Sequence, residues 1–214
     1  MTALRKLLPS EAPALLAHLL RLPPEDRTAR FMHAVSDATI AAHVEAIDWV
    51  GGVVVGYFEA GVLRGAAELA GRLFREVEIA VTVEPSCQDQ GIGTALLGQA
   101  LLIARNRRFA TAHVVCMGSN RRFQRVALKF FDHLSHEDGE ASADMALERP
   151  TWFSLAEEGT AESFAWLGQM MERALGGAAS QEAAIVSGER CAFMSASELR
   201  MGETCAQGPA SSIA

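Results

Sequence analysis

The chain of 214 residues is long enough for one domain with a substantial core and has room for an appendage; half of its residues are hydrophobic. A net charge of −7 argues against nucleic-acid binding as its main work, which needs a basic surface, and no stretch approaches the ~18 to 20 uninterrupted apolar residues of a membrane span. Four cysteines, Cys87, Cys116, Cys191 and Cys205, form no CxxC pair and match neither a disulfide framework nor a zinc ribbon, so free thiols in a cytoplasmic protein are expected.

The N-terminal "MTALRKLLPSEAPALLAHLL" reads as a strand and then an amphipathic helix; Glu11, Pro13 and His18 interrupt its leucines, and no cleavage site follows. "RLPPEDR" breaks that helix and leads into a polar segment ending at Arg30 and Phe31. A second helix starts at Ser36 or Asp37 and carries apolar residues at helical spacing through "SDATIAAHVEAI". Valine-, tyrosine- and phenylalanine-rich runs on either side of Ala60-Gly61 predict a β-hairpin. "VEIAVTVE" then alternates, with Val77, Ile79, Val81 and Val83 on one side and Glu78, Ala80, Thr82 and Glu84 on the other.

Next comes an aliphatic helix bearing Leu97, Ala100, Leu101 and Ala104 on one stripe, followed by the strand "AHVVCM". A further helix carries Phe123, Val126, Ala127 and Phe130, and a second hairpin turns at Asp138-Gly139. The expected order is one strand, two helices, three strands, a helix, a strand, a helix and two strands. That mixture points to an α/β fold with hairpins and a crossover, not to a regular doubly wound sheet. Beyond Pro150, Phe164, Leu167, Met171 and Leu175 share one face of a helix that ends at Gly176-Gly177. The expected organisation is a domain over 1–155, an amphipathic helix over 156–177 that covers the sheet or a second copy of the chain, and a poorly ordered tail over 178–214.

Between the alternating strand and the aliphatic helix lies "EPSCQDQGIGT". Gly91 and Gly93 free the backbone N–H groups just where a helix begins, so unpaired donors and the positive end of the helix dipole converge. Such a point attracts phosphate. A P-loop would need Lys after the glycines, and a dinucleotide fingerprint would need a third glycine where Leu96 stands. What remains is Q-x-x-G-x-G over Gln88, Asp89, Gln90, Gly91, Ile92 and Gly93.

The strand "VEIAVTVEP", the loop "QDQGIG", the helix "TALLGQALLIAR" and the later "SNRRFQRVALKF" together resemble the GNAT superfamily of acetyl-CoA-dependent N-acyltransferases, over about residues 1–150. "RLPPEDRTARF" and "SDATIAAHV" are similar to a bacterial subgroup found alone or joined to acyl-CoA synthetases, whose members acetylate protein lysines. The resemblance implies a mixed central sheet splayed between two parallel strands, with helices on both faces. It also implies a pantetheine arm paired with the backbone at Val81 and Val83, a pyrophosphate on the amides of Gln88 through Thr94, and Asn120 bonding the arm. Glu78 matches a general base, with burial expected to raise its pKa; Glu84 is the weaker candidate. A backbone N–H near Val81 would stabilise the developing oxyanion. The family's tyrosine acid is replaced by Ala127, and the only tyrosine is Tyr57.

The implied co-substrate is acetyl-CoA, with no metal: His133 and His136 in "HLSH" lack a third ligand nearby. Arg121, Arg122 and Arg125 are candidates for the 3′-phosphate, and Arg27 and Arg30 for a carboxylate on the acceptor. The acceptor is a small-molecule amine or a protein lysine. Three readings stay open from sequence alone: a transferase, an acetyl-CoA sensor without turnover, and a domain that keeps the fold and has lost the ligand.

Overall fold

In the computed structural model, which describes residues 2–71, 74–160, 163, 167 and 170, β1 (Thr2–Lys6) leads into three helices, α1 (Ala12–Arg21), α2 (Pro24–Phe31) and α3 (Asp37–Glu45). The chain continues through β2 (Val53–Glu59), β3 (Val62–Gly71), β4 (Glu76–Val83), α4 (Ile92–Asn106), β5 (Thr111–Met117), α5 (Arg121–Ala127), β6 (Ser135–Glu137) and β7 (Glu140–Ala146). Residues 152–160 are helical, so the helix expected over 156–177 falls only partly on described residues. The expected tail over 178–214 lies outside them. No helix among the described residues is long and apolar enough to cross a membrane.

One helix more than expected is present. The residue before a proline is driven out of the helical region, and Leu22 accordingly adopts ψ 137 and ends α1. Pro24, however, sits in the first turn of α2, where its missing N–H has no helical partner to lose. The proline pair that reads as a break therefore ends one helix and starts another. Both hairpins form as expected on two-residue turns with positive φ, Ala60 and Gly61 in one and Asp138 and Gly139 in the other.

The strands make one sheet in the order β1-β2-β3-β4-β5-β7-β6. Every neighbouring pair is antiparallel except β4 and β5, which run parallel and pair only at Glu76–Glu78 with Thr111–His113. Beyond Glu78, β4 stays bonded to β3 as far as Val83, while β5 stays bonded to β7 as far as Met117. The two strands part between them, which is the splay implied above. α2 packs against both β4 and β5, over the parting.

α4 and α5 cover one face, where Leu96, Leu97, Ala100, Ile103 and Ala104 meet Val53, Val55, Ala67, Leu69, Val77 and Ile79. The other face lies under α1 and α3, whose Leu15, Leu19, Ile40 and Val44 meet Val54, Phe58, Leu63 and Ala66. A bulge at Arg64 shifts the β2–β3 register between Tyr57 and Phe58. Leu63 and Arg64 then both serve the helical side, Leu63 in its core and Arg64 toward Glu84.

This second face also buries a carboxylate. Glu68 on β3 accepts from His43 Nε2 of α3 at 2.7 Å and faces Arg30 Nη2 of α2 at 3.0 Å. Burial alone pushes its carboxyl up, but the Arg30 charge and the His43 hydrogen bond outweigh burial and bring it down to about 2. Against an unfolded carboxyl near 4.5 this contributes on the order of 3 kcal/mol at neutral pH, present above about pH 4.5 and lost as pH falls toward 2.

Two stability outcomes follow from this packing. Leu97 is fully buried, and Leu97→Ala is expected to lower unfolding free energy by about 2–5 kcal/mol in urea titration. Glu68→Gln is expected to flatten the loss of stability between about pH 4.5 and 2 while destabilising the protein at pH 7, both read from denaturation midpoints across pH.

Candidate functional site

A cleft of about 350 Å³ opens where β4 leaves β5. Val81, Thr82 and Val83 of β4 form its floor, and the loop from Gln88 to Thr94 forms its rim. α5 supplies Phe123 and Val126 as an apolar wall, while Ala29 and Arg30 of α2 close the opposite side. Among the described residues four cationic side chains line it; Arg30 is balanced by the buried Glu68, and Arg122, Arg125 and Lys129 stand against the two acids Asp26 and Asp89. In a chain of net charge −7, that local excess of positive charge marks a place for an anion.

The rim loop is built to present backbone. Gly91 takes φ 81, in the left-handed region, and a Cβ placed there would meet nothing within 4 Å. Asp89 takes φ 58, a conformation that Asp tolerates better than most residues. No side chain of the described residues caps α4. The first amide of the turn to bond back is Ala95, to Gly91 O at 3.0 Å, and the amides from Asp89 to Thr94 find no acceptor among the described residues. Gln88 is different, because its amide already bonds Pro85 O at 3.3 Å. Those open donors and the helix dipole of α4 aim at one rim.

Gln88 works instead through its side chain. Its Nε2 donates to Val83 O at 2.9 Å and to Asp26 Oδ2 at 3.1 Å, and its Oε1 accepts from Arg122. Lys129 Nζ donates to Thr94 Oγ1 at 3.0 Å. Asn120 caps α5, with Oδ1 accepting from Phe123 N at 3.0 Å. Its Nδ2 meets no acceptor among the described residues.

Of the residues singled out from sequence, Val81, Val83, Gln88, Asp89, Gly91, Gly93, Thr94 and Asn120 meet at this cleft. Ile92 turns its side chain into the core, and the Gln90 side chain donates to Ser86 O at 3.0 Å, so the contribution of each is its main chain. Glu78 stands at the last paired position of the splay, opposite His113. It is exposed, not buried as expected, it does not line the cleft, and its carboxylate bonds no other described residue. Glu84, by contrast, is buried and accepts from Arg21, Arg64 and His18.

Several other candidates have structural occupations. Arg27 binds the carbonyls of Leu20 and Leu22 and pairs with Asp37 at 2.6 Å, while Arg30, which lines the cleft, pairs with Glu68. Arg121 bonds Gln124 at 3.1 Å and does not line the cleft; Arg122 and Arg125 do. Ala127 is sealed in the core. Burial pushes the Cys116 thiol up, away from reactivity. His136 sits on β6 and His133 before it, so the two share no helical face.

Sequence reading missed a buried row beside the cleft. His18 of α1 is fully buried, with Nε2 2.9 Å from Thr82 Oγ1 and Nδ1 3.2 Å from Glu84 Oε1. The signal was there in two halves: a histidine and an arginine three residues apart on a leucine-rich helix, and a strand face carrying Thr82 and Glu84. Nothing local says that the two faces meet. Lys129 was missed as well, quoted in a motif and given no role.

A model of the acetyltransferase (GNAT) family matches residues 12–132. No curated protein matches the sequence at a significant level. Among solved structures, the GNAT domain of S. lividans PAT is 19% identical and superposes with a TM-score of 0.58 over 67% of this chain and 89% of that one. YncA of Salmonella typhimurium, a putative acetyltransferase solved with its cofactor acetyl-CoA, is also 19% identical, with a TM-score of 0.53 over 71% of this chain and 96% of the other. A Sinorhizobium meliloti phosphinothricin acetyltransferase in complex with acetyl-CoA gives 19% identity and a TM-score of 0.52, over 71% and 94%. At these identities the structures speak for the fold, with its parallel pair and its helices on both faces; the family model, which spans more than half the chain and takes in the splayed strand, the amide-lined turn and α5, shows that this protein belongs to the GNAT acetyltransferase family.

Proposed function

We propose that the cleft binds acetyl-CoA and that the protein is an N-acetyltransferase acting on a primary amine, either of a small molecule or of a protein lysine. The observation that carries this reading is the run of amides from Asp89 to Thr94 without acceptors, opening α4 at the rim of a cationic cleft. A diphosphate is the anion such a rim suits. Two of the structural neighbours were solved with acetyl-CoA, which supports the same ligand here.

Acetyl-CoA supplies, when bound, an acetyl group activated as a thioester. The protein's part is to hold and orient. The edge of β4 that faces away from β3 has no strand partner beyond Glu78 among the described residues, so its main-chain groups near Val81 and Val83 are free to pair with an extended amide-bearing arm. Asn120 Nδ2 donates to such an arm, Phe123 and Val126 pack on its methylenes, and Arg122 and Arg125 lie within the cleft for phosphate.

An acceptor ammonium must shed one proton before its nitrogen has a lone pair to use. We assign that step to Glu78, acting through water: it lies three residues before Val81 on the strand, roughly 10 Å away along the chain. The likeness of the early helices to synthetase-associated acetyltransferases is what puts a protein lysine beside small amines as acceptor.

The burial of Ala127 at the family's tyrosine position and the exposure of Glu78 favour one second reading, an acetyl-CoA sensor with little turnover. Thiol release across a panel of amines and peptides decides between them.

Calorimetric titration of the protein with acetyl-CoA is expected to give saturable one-to-one binding, and its absence overturns both readings. A Cβ on Gly93 would meet Val126 and Val83 at 3.8 Å, ordinary contact, so the backbone tolerates a side chain there. Gly93→Glu is therefore expected to fold, place a carboxylate at the rim and weaken acetyl-CoA binding by about 100-fold or more through charge repulsion and lost space. Glu78→Gln is expected to lower kcat several-fold below pH 8 and to leave acetyl-CoA affinity unchanged; an unchanged kcat removes Glu78 from the mechanism.

A further inference from the structure

The row Thr82–His18–Glu84 has no part in the account above, yet one end of it opens on the cleft. Thr82 lines the floor; His18 behind it is sealed from solvent; Glu84 behind that is pinned by Arg21 Nε at 2.9 Å and Arg64 Nη1 at 2.8 Å. A hydroxyl on a histidine on a carboxylate is the ordering that activates an oxygen for proton transfer, whatever fold carries it.

Its protonation follows from the surroundings. Burial pushes the Glu84 carboxyl up, but hydrogen bonds from Arg64, Arg21 and His18 outweigh burial and hold it below the ordinary carboxylate range. Glu84 therefore only accepts, and His18 Nδ1 must donate to it. Burial and the Arg21 charge together lower His18 more than Glu84 and Glu68 raise it, so the ring is neutral at pH 7 and carries its single proton on Nδ1. Nε2 is left as an acceptor with one donor in reach among the described residues, the Thr82 hydroxyl at 2.9 Å. The hydroxyl's other outlet, Ala66 O, is farther away at 3.4 Å. With its proton committed to His18, Thr82 Oγ1 keeps a lone pair.

We propose that Thr82 is a catalytic residue of the transfer and that His18 acts through it: Thr82 Oγ1 takes the proton the acceptor nitrogen sheds on attack, while its own hydroxyl proton passes to His18 Nε2. Glu84 is a positioning residue that fixes the ring with Nε2 bare. This rests on the acetyl-transfer reading of the cleft, and it divides the work with Glu78, which takes the earlier proton from the ammonium. The nitrogen exchanges one N–H bond for one C–N bond, the sulfur leaves with the electron pair of the broken C–S bond, and the proton held on His18 returns through Thr82 to that sulfur. Burial and Arg21 make the imidazolium short-lived and Glu84 and Glu68 make it attainable, so the ring is suited to a proton held only in passing.

The first test needs no ligand. In nitrogen-resolved NMR of the histidine rings at neutral pH, with His18 assigned from its loss in His18→Gln, the expected signature is the Nδ1–H tautomer and an Nε2 resonance displaced in Thr82→Val. An Nε2–H tautomer overturns the relay. The second uses the best acceptor from the thiol-release panel. Thr82→Val is expected to lower kcat by about 100-fold with acetyl-CoA affinity unchanged, and to remove from the acid side of the kcat–pH profile the inflection due to His18, expected below pH 6.5 in the wild type, while the fall set by the ammonium and Glu78 step stays. Thr82→Ser is expected to restore both, and it carries the kinetic test with Thr82→Ala if the valine variant fails to fold. A wild-type kcat in Thr82→Val overturns the relay and leaves the transferase reading intact. A wild-type protein that binds no acetyl-CoA, or binds it and releases no thiol, overturns both.

Discussion

The whole site depends on two parallel strands that stay together for three residues and then separate. β4 and β5 are anchored on their outer sides, by β3 and by β7, and their shared ladder stops at Glu78 and His113. A sheet edge inside a protein is costly unless its polar groups find partners. Here the edge faces a cleft instead of another strand, with a helix of the N-terminal half drawn over it. The parting thus creates at once a slot, a row of main-chain donors and acceptors along that slot, and room at its upper end for the turn that starts α4.

The two faces of the sheet divide the labour. Beneath α4 and α5 the buried residues are almost wholly apolar, and that side sets the position of the amide-lined turn. Beneath α1, α2 and α3 the interior holds two carboxylates, each compensated by arginine and histidine: Glu68 by Arg30 and His43, Glu84 by Arg21, Arg64 and His18. Buried charges of this kind survive only when paired and hydrogen-bonded. Their partners reach across from helices to strands, so the same ion pairs that neutralise the carboxylates also hold the early helices in place beside the cleft.

Much of this was legible in the sequence because it is local. The turn residues of both hairpins, the period-two strand before the loop, and the glycines ahead of an aliphatic helix each declare themselves within a dozen residues; the splay of the sheet followed only from the family resemblance that these segments carry. What was not legible is non-local. Whether Pro23-Pro24 only ends a helix or also begins one depends on whether residues 24–31 have a sheet to cover. Glu78 and Glu84 look alike on the strand, yet one is bare to solvent and the other is closed in by side chains from α1 and from the bulge on β3. Periodicity assigns a residue to a face; it does not say what comes to lie on that face.

Gln88 illustrates what such cross-linking does for recognition. One amide group ties the end of β4, the first turn of α2 and the first turn of α5 to the rim. A loop fastened at three points has surrendered its conformational entropy in the free protein, so an arriving ligand has little left to freeze. Affinity then reflects the quality of the contacts, undiminished by the cost of ordering them.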